Sequence, residues 1–162
     1  MNMQKLVFRT INDNDIPLLS SWLNQDYVKQ WYEDPDSWLE EIRERFGNFA
    51  WIHHYIVMAD TAPVGFCQYY DCYDARALED WYEVDTRGHT FSIDYFIGDK
   101  DYLNKGYGKA IVAQLIELIM TKEKGSRIIV QPEDDNLSSR GVLTANGFIF
   151  DENNNYFFKI LQ

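Results

Sequence analysis

The segment from Phe91 to Met120 constrains the fold more than any other part of this 162-residue chain. A strand-like run, Phe91-Ser92-Ile93-Asp94-Tyr95-Phe96-Ile97, leads through Gly98-Asp99-Lys100-Asp101-Tyr102-Leu103 into Asn104-Lys105-Gly106-Tyr107-Gly108-Lys109, and then into a long segment with helical apolar spacing. The order is strand, glycine loop, helix. The first amides of a helix have no partner within it and carry a partial positive charge, so a loop without side-chain bulk at Gly106 and Gly108 brings those donors within reach of a phosphate. An anionic cofactor is the natural occupant.

The loop departs from the commoner phosphate motifs. A P-loop needs Lys-Ser or Lys-Thr after its last glycine, and Gly108 is followed by Lys109-Ala110; a dinucleotide fingerprint needs three glycines in a fixed frame, and only Gly106 and Gly108 are present. Nucleotide hydrolysis and hydride transfer lose ground. Taken alone, Gly-x-Gly also fits a turn that merely begins a helix.

The remaining segments place this unit in a mixed α/β fold with a central sheet and helices on its faces. Leu6-Val7-Phe8-Arg9 reads as a first strand, Thr10 to Asp15 as turn and cap residues, and Leu18, Leu19, Trp22 and Leu23 follow helical spacing from Ile16 onward. A short helix is expected from Val28 to Trp31. Pro35-Asp36-Ser37 recaps the chain for a further helix whose apolar positions 38, 39, 42 and 46 share one face. Trp51 to Ala59 and Val64 to Tyr70 read as a hairpin around Asp60-Thr61-Ala62-Pro63. Asp71 to His89 is a long acidic connection, a functional loop or an added short element. A helix over Ala110–Met120 with Gly125 just past its end, a strand from Ser126, a helix from about Leu137 to Asn146 closed by Gly147, and a last hairpin around Asn153-Asn154-Asn155 complete the chain. No linker or repeat divides it, and its length suits one domain spanning 1–162.

With 46% hydrophobic and 16% aromatic residues the chain belongs with packed globular proteins rather than disordered ones. Fifteen Lys and Arg against 26 Asp and Glu give a net charge of -11. That charge disfavours nucleic acid and anionic membrane and suits a cationic small molecule or peptide, although acidity also serves solubility. Cys67 and Cys72 have no metal-ligand spacing and are too few for a disulfide framework, so they read as reduced thiols of a cytoplasmic protein. No segment approaches the length of a membrane span, and no metal is expected. A monomer or homodimer is anticipated.

The glycine loop and its flanks resemble the GNAT superfamily of acetyl-CoA-dependent N-acetyltransferases. The family's Arg/Gln-x-x-Gly-x-Gly/Ala pyrophosphate loop corresponds to Leu103-Asn104-Lys105-Gly106-Tyr107-Gly108, with Leu103 at the usual Arg/Gln position, and Asn136 with Ala145-Asn146-Gly147-Phe148 resembles a later family segment. Four pieces are most similar to the aminoglycoside 6′-N-acetyltransferases: Ile16 to Leu23 with Val28 and Trp31-Tyr32; Ala62 to Tyr70; Ser92 to Gly98; and Lys105 to Gly108. The resemblance runs from about Leu6 to Ile160. It implies a central twisted, mostly antiparallel sheet, acetyl-CoA as co-substrate, and acetyl transfer to a primary amine of a cationic small molecule, aminoglycosides included. Peptide N-terminal or polyamine acetylation, and a non-catalytic acyl-CoA-binding relative, are the alternatives.

The resemblance implies that Asp94 takes the proton from the amine. A carboxylate on an apolar strand either faces solvent or sits in a site with its proton affinity raised by desolvation. Cofactor contacts are expected from Ile97, Lys105, Gly106, Tyr107, Gly108 and Lys109, the lysines neutralising phosphates, and from Asn136, which suits a helix N-cap equally well. Trp22, Tyr32, Tyr70, Asp71, Glu83 and Gln131 are the substrate candidates; for the aromatics among them core packing competes with a pocket wall, and for the acids a solvated loop does. Two departures from the family matter. Gln131 precedes Pro132 where related chains commonly carry aspartate, and Leu143 stands near the position of a tyrosine acid for the thiolate leaving group. No Cys, Ser or His nucleophile arrangement is present, which favours direct transfer.

Overall fold

Among the described residues apolar runs, some alternating and some continuous, build seven strands, and segments with helical apolar periods lie between them. The computed structural model describes residues 5–79 and 84–161. Its strands are β1 (Leu6–Thr10), β2 (Ile52–Ala59), β3 (Ala62–Asp71), β4 (Thr90–Ile97), β5 (Arg127–Val130), β6 (Ile149–Asp151) and β7 (Tyr156–Ile160). The helices are α1 (Ile16–Leu23), α2 (Asp26–Lys29), α3 (Pro35–Arg43), α4 (Tyr107–Leu118) and α5 (Leu137–Ala145). Strand order in the sheet is β1-β2-β3-β4-β5-β7-β6. A two-residue turn at Asp60, which takes φ 55°, and Thr61 makes β2 and β3 a hairpin. β1 with β2, β5 with β7 and β6 with β7 are antiparallel, whereas β4 and β5 run parallel.

The chain divides into two compact units, residues 1–68 with 95–111 and residues 69–94 with 112–162. In the first, α1 is announced by a reciprocal cap. Asn12 accepts from the amide of Asn14, and Asp15 accepts from the amide of Asn12 at 2.8 Å while holding Arg9 at 2.7 and 2.9 Å. Leu19, Trp22, Leu23, Val28, Leu39, Ile42, Ile56, Phe66 and Phe96 form the core of this unit. The Gly98 amide donates to the Val64 carbonyl at 2.9 Å, pairing the end of β4 with the start of β3. In the second unit the Cys72 amide donates to Thr90 at 2.9 Å. Rising numbers on β4 therefore meet falling numbers on β3, the antiparallel sense. Ile119, Ile128, Ile129 and Leu143 are buried in this unit, and Arg140 covers the rings of Phe150 and Phe157 at 4.8 and 4.9 Å.

Several boundaries differ from the sequence reading for local reasons. α2 starts at Asp26, two residues earlier than expected. Asp34, in the left-handed region at φ 56°, caps α3 and leaves Pro35 as its first residue. α3 stops at Arg43 because Arg45 turns its guanidinium inward to the Ile42 carbonyl and Asp13, each at 2.8 Å; Phe46 consequently leaves the apolar face and is 85% exposed. α4 begins three residues before Ala110 and continues beyond Leu118 as a wider turn over Ile119–Glu123. Lys124, not Gly125, takes the left-handed closing position at φ 53°. Gly125 instead packs where a Cβ would lie 2.8 Å from the Phe91 ring. No helix among the described residues is long and apolar enough to cross a membrane.

Candidate active site

In the first unit the glycine loop adopts the conformation its sequence calls for. Leu103 is extended, Asn104 sits at φ 59° and Gly106 at φ 87°, both in the left-handed region that a glycine enters without strain. Ala110 donates the first helical bond to the Gly106 carbonyl. The amides of Tyr107, Gly108 and Lys109 thus lie in the opening turn of α4, where the helix dipole favours a bound anion. The Tyr107 side chain packs edge-on against Tyr102 at 5.1 Å and is buried, so its contribution to this end is its backbone. Lys105 and Lys109 are exposed beside the loop.

The end of β4 brings in Tyr27, which the sequence did not single out, beside Tyr32, which it did. Gly98 and Phe96 turn their backbone groups toward β3, so those of Tyr95 and Ile97 face the other edge. There the Tyr32 hydroxyl donates to the Tyr95 carbonyl and accepts the Tyr95 amide at 3.2 Å. The Tyr27 hydroxyl reaches the carbonyls of Ile97 at 2.8 Å and Gly98 at 2.9 Å. Two tyrosines thereby supply hydrogen bonds that a neighbouring strand would otherwise provide. Tyr32 is half-buried between Trp38 and Phe96, at 5.1 and 5.3 Å. Trp22 is a core residue, 6% exposed and edge-on to Phe96 at 6.4 Å.

In the second unit Asp94 is half-buried on β4. Tyr70 on β3 is 9% exposed, and the Ser92 hydroxyl hydrogen-bonds its phenol. Burial pushes the Tyr70 pKa well up; the charges of Asp94, Cys72 and Glu79 add to the rise and the Ser92 bond opposes it. Asp71 is structurally committed: one carboxylate oxygen accepts the Tyr73 amide at 3.0 Å and the other the Gly88 amide at 2.6 Å, tying the two ends of the acidic loop together. Within that loop Arg76 and Arg87 stack on Tyr73 at 3.8 and 4.8 Å, and Arg87 pairs with Asp74. Two guanidinium groups therefore offset part of the negative charge read from the sequence. Glu83 lies outside the described residues.

Asn136 caps α5 by accepting the Ser139 amide at 3.1 Å. Gln131 is exposed and donates to the Asn155 carbonyl at 2.9 Å. It lines a pocket of about 240 Å³ with Pro132, Glu133, Asp134 and Asn155. Glu133 and Asp134 thus bring carboxylates beside the neutral amide of position 131, an arrangement read from the sequence only as a capping loop. Leu143 is fully buried and fills core space. Position 143 presents no acid to a leaving group.

Helix-end amides for an anion, a half-buried carboxylate three residues before the end of β4, and acids around a polar pocket are the parts that amine acylation with an anionic acyl carrier requires. Comparison with known proteins bears on the family and the fold. The chain is 24% identical over 149 residues to aminoglycoside N(6′)-acetyltransferase type 1 of Klebsiella pneumoniae, a match covering 88% of this chain and 73% of that protein. Among solved structures, aminoglycoside acetyltransferase AAC(6′)-Ib in complex with coenzyme A and kanamycin superposes with a TM-score of 0.79 at 24% identity, over 96% of this chain and 95% of that one. Spermidine N-acetyltransferase from Vibrio cholerae, with CoA and spermine, gives 0.75 at 11% identity over 96% and 95%. Both likenesses are of fold. The acetyltransferase (GNAT) domain profile matches residues 12–155, nearly the whole chain, and the protein belongs to that family.

Proposed function

We propose that this protein is an acetyl-CoA-dependent N-acetyltransferase whose acceptor is a primary amine of a cationic small molecule, with aminoglycosides the favoured class, and that residues 1–162 act as one catalytic domain. The observation that carries this reading is the Gly106 loop opening α4, directly downstream of a strand bearing Asp94. The amides at 107–109 would hold the pyrophosphate and Lys105 and Lys109 would neutralise it, with Asn136 the candidate that the family resemblance gives for the cofactor arm. Acetyl-CoA, when bound, supplies the thioester carbonyl. Asp94 takes the proton that the attacking ammonium must lose, directly or through one water. The absence of a serine, cysteine or histidine nucleophile arrangement in the sequence supports direct transfer without a covalent enzyme intermediate.

The acceptor class is supported by net charge -11 and by the Gln131 pocket with Glu133 and Asp134. Among similar proteins, an aminoglycoside acetyltransferase is seen in complex with kanamycin and a spermidine N-acetyltransferase with spermine. A thiol-release screen with acetyl-CoA against aminoglycosides, polyamines and peptides tests the assignment. Turnover confined to peptides or polyamines would sink the aminoglycoside reading. A second reading, a non-catalytic acyl-CoA binder, is favoured by buried Leu143 in place of the tyrosine acid. Tight acetyl-CoA binding with no thiol release across the whole panel would select it.

A further inference from the structure

Among the described residues β5 runs beside β4 only at Thr90 and Phe91, so farther along β4 the half-buried backbone groups on that edge take partners from elsewhere. At Tyr95 one side chain meets both groups. The Tyr32 hydroxyl donates to the Tyr95 carbonyl and accepts the Tyr95 amide at 3.2 Å. A phenol has one hydrogen and two acceptor lone pairs, so it reproduces here the pair of bonds that a residue of a neighbouring strand exchanges with its opposite. Tyr32 is itself held. Its amide donates to the Val28 carbonyl at 2.9 Å, continuing the turn of α2, and its ring lies against Trp38 of α3 at 5.1 Å and Phe96 at 5.3 Å. The phenolic hydrogen of this substrate candidate is thus committed to backbone.

We propose that Tyr32 is a positioning residue for Asp94: its hydroxyl clamps both backbone groups of Tyr95 and so fixes the peptide plane that joins Asp94 to Tyr95. The Tyr95 N–H and the Asp94 carbonyl belong to one planar group, and a bond to that N–H restrains rotation about the Asp94 Cα–C bond. The Cα that carries the carboxylate is restrained with it. A proton acceptor acts only within hydrogen-bond reach of the reacting amine, and a misplacement of about 1 Å can cost about 10²-fold in rate. Position, and not charge, is what the clamp supplies, since both of its bonds go to backbone. The catalytic consequence rests on the acetyltransferase reading; the clamp itself does not.

Tyr32→Phe removes the hydroxyl and keeps the ring contacts. Its effect is read by NMR as exchange of the Tyr95 amide in tyrosine-labelled protein, assigned with Tyr95→Phe, and by kcat and KM on an accepted amine across pH. The Tyr95 amide should exchange about tenfold faster in the variant, the size of one lost hydrogen bond. kcat should fall about tenfold, with KM for the amine within about twofold of the parent and acetyl-CoA affinity unchanged. The acidic limb of the pH profile should stay in place. Lost packing alone would lower Tm without this split between kcat and KM. Parental kcat or parental Tyr95 exchange in a folded variant overturns the proposal; so does a loss confined to KM, which would return Tyr32 to the substrate wall. If Tyr32→Phe does not fold, the parent decides: a Tyr95 amide exchanging at the rate of an unstructured peptide overturns the clamp, and one protected at least tenfold upholds it. Absence of turnover in the parent would remove the acetyltransferase reading while leaving the exchange comparison able to decide the clamp.

Discussion

Gly98 lies against the indole of Trp22 with no room for a Cβ between them. A glycine just past the end of β4 is therefore a packing requirement of α1, whose indole is buried in the core cluster. Gly98→Ala must displace the ring or the strand, an overpacking cost of about 1–3 kcal/mol. Thermal denaturation should show Tm lowered by about 5 °C. A Tm equal to that of the parent would mean that the indole moves aside without cost.

Gly106→Val tests the cofactor loop. At φ 87° a β-branched residue is strained, and its methyl groups would stand in front of the helix-end amides. Calorimetric titration should show acetyl-CoA affinity reduced at least tenfold, about 1.4 kcal/mol or more. If a folded variant binds as the parent does, the loop is not the pyrophosphate site.

Asp94→Asn keeps the shape and removes the proton acceptor. Acetyl transfer should fall by about 10²–10⁴-fold, with acetyl-CoA affinity nearly unchanged. Parental kcat/KM at every pH would place the base elsewhere.

His54 predicts an acid sensitivity unconnected with catalysis. It is 4% exposed, bonded through Nδ1 to Gln68 Oε1 at 2.9 Å, and burial, with Arg45 nearby, lowers its pKa from 6.5 to about 4. The folded state thus prefers the neutral ring. Its contribution is fully present above pH 6.5, declines as the unfolded chain protonates below that value, and is gone below about pH 4. The total is about 3 kcal/mol. Urea denaturation should show parental stability dropping between pH 6.5 and 4 more steeply than that of His54→Gln, which cannot titrate; parallel slopes would refute the assignment.

Much of this architecture is written in short-range chemistry. Asn12 and Asn136 announce helices because their side chains bond amides two or three residues ahead. Asp60-Thr61 and Gly147 mark turns through the few backbone conformations open to them. The strand, glycine loop and helix from β4 to α4 were legible for the same reason, since φ 87° at Gly106 is a property of glycine itself. Helix ends were less legible. α3 ends where Arg45 reaches Asp13, 32 residues away in sequence, and an apolar period has no means of registering that bond.

The sequence by itself determined which elements form and where a helix opened by a glycine loop begins, because caps, glycine conformations and apolar periods act within a few residues. Only the tertiary structure decided what several of the candidate side chains touch. Trp22 became core, Tyr32 became a partner of the Tyr95 backbone 63 residues away, and Asp71 became a tie to Gly88 across 17 residues. A tyrosine, a tryptophan or an aspartate carries the same chemistry in a pocket and in a core. Strand register and helix packing choose between the two, and both are set by contacts distant in sequence.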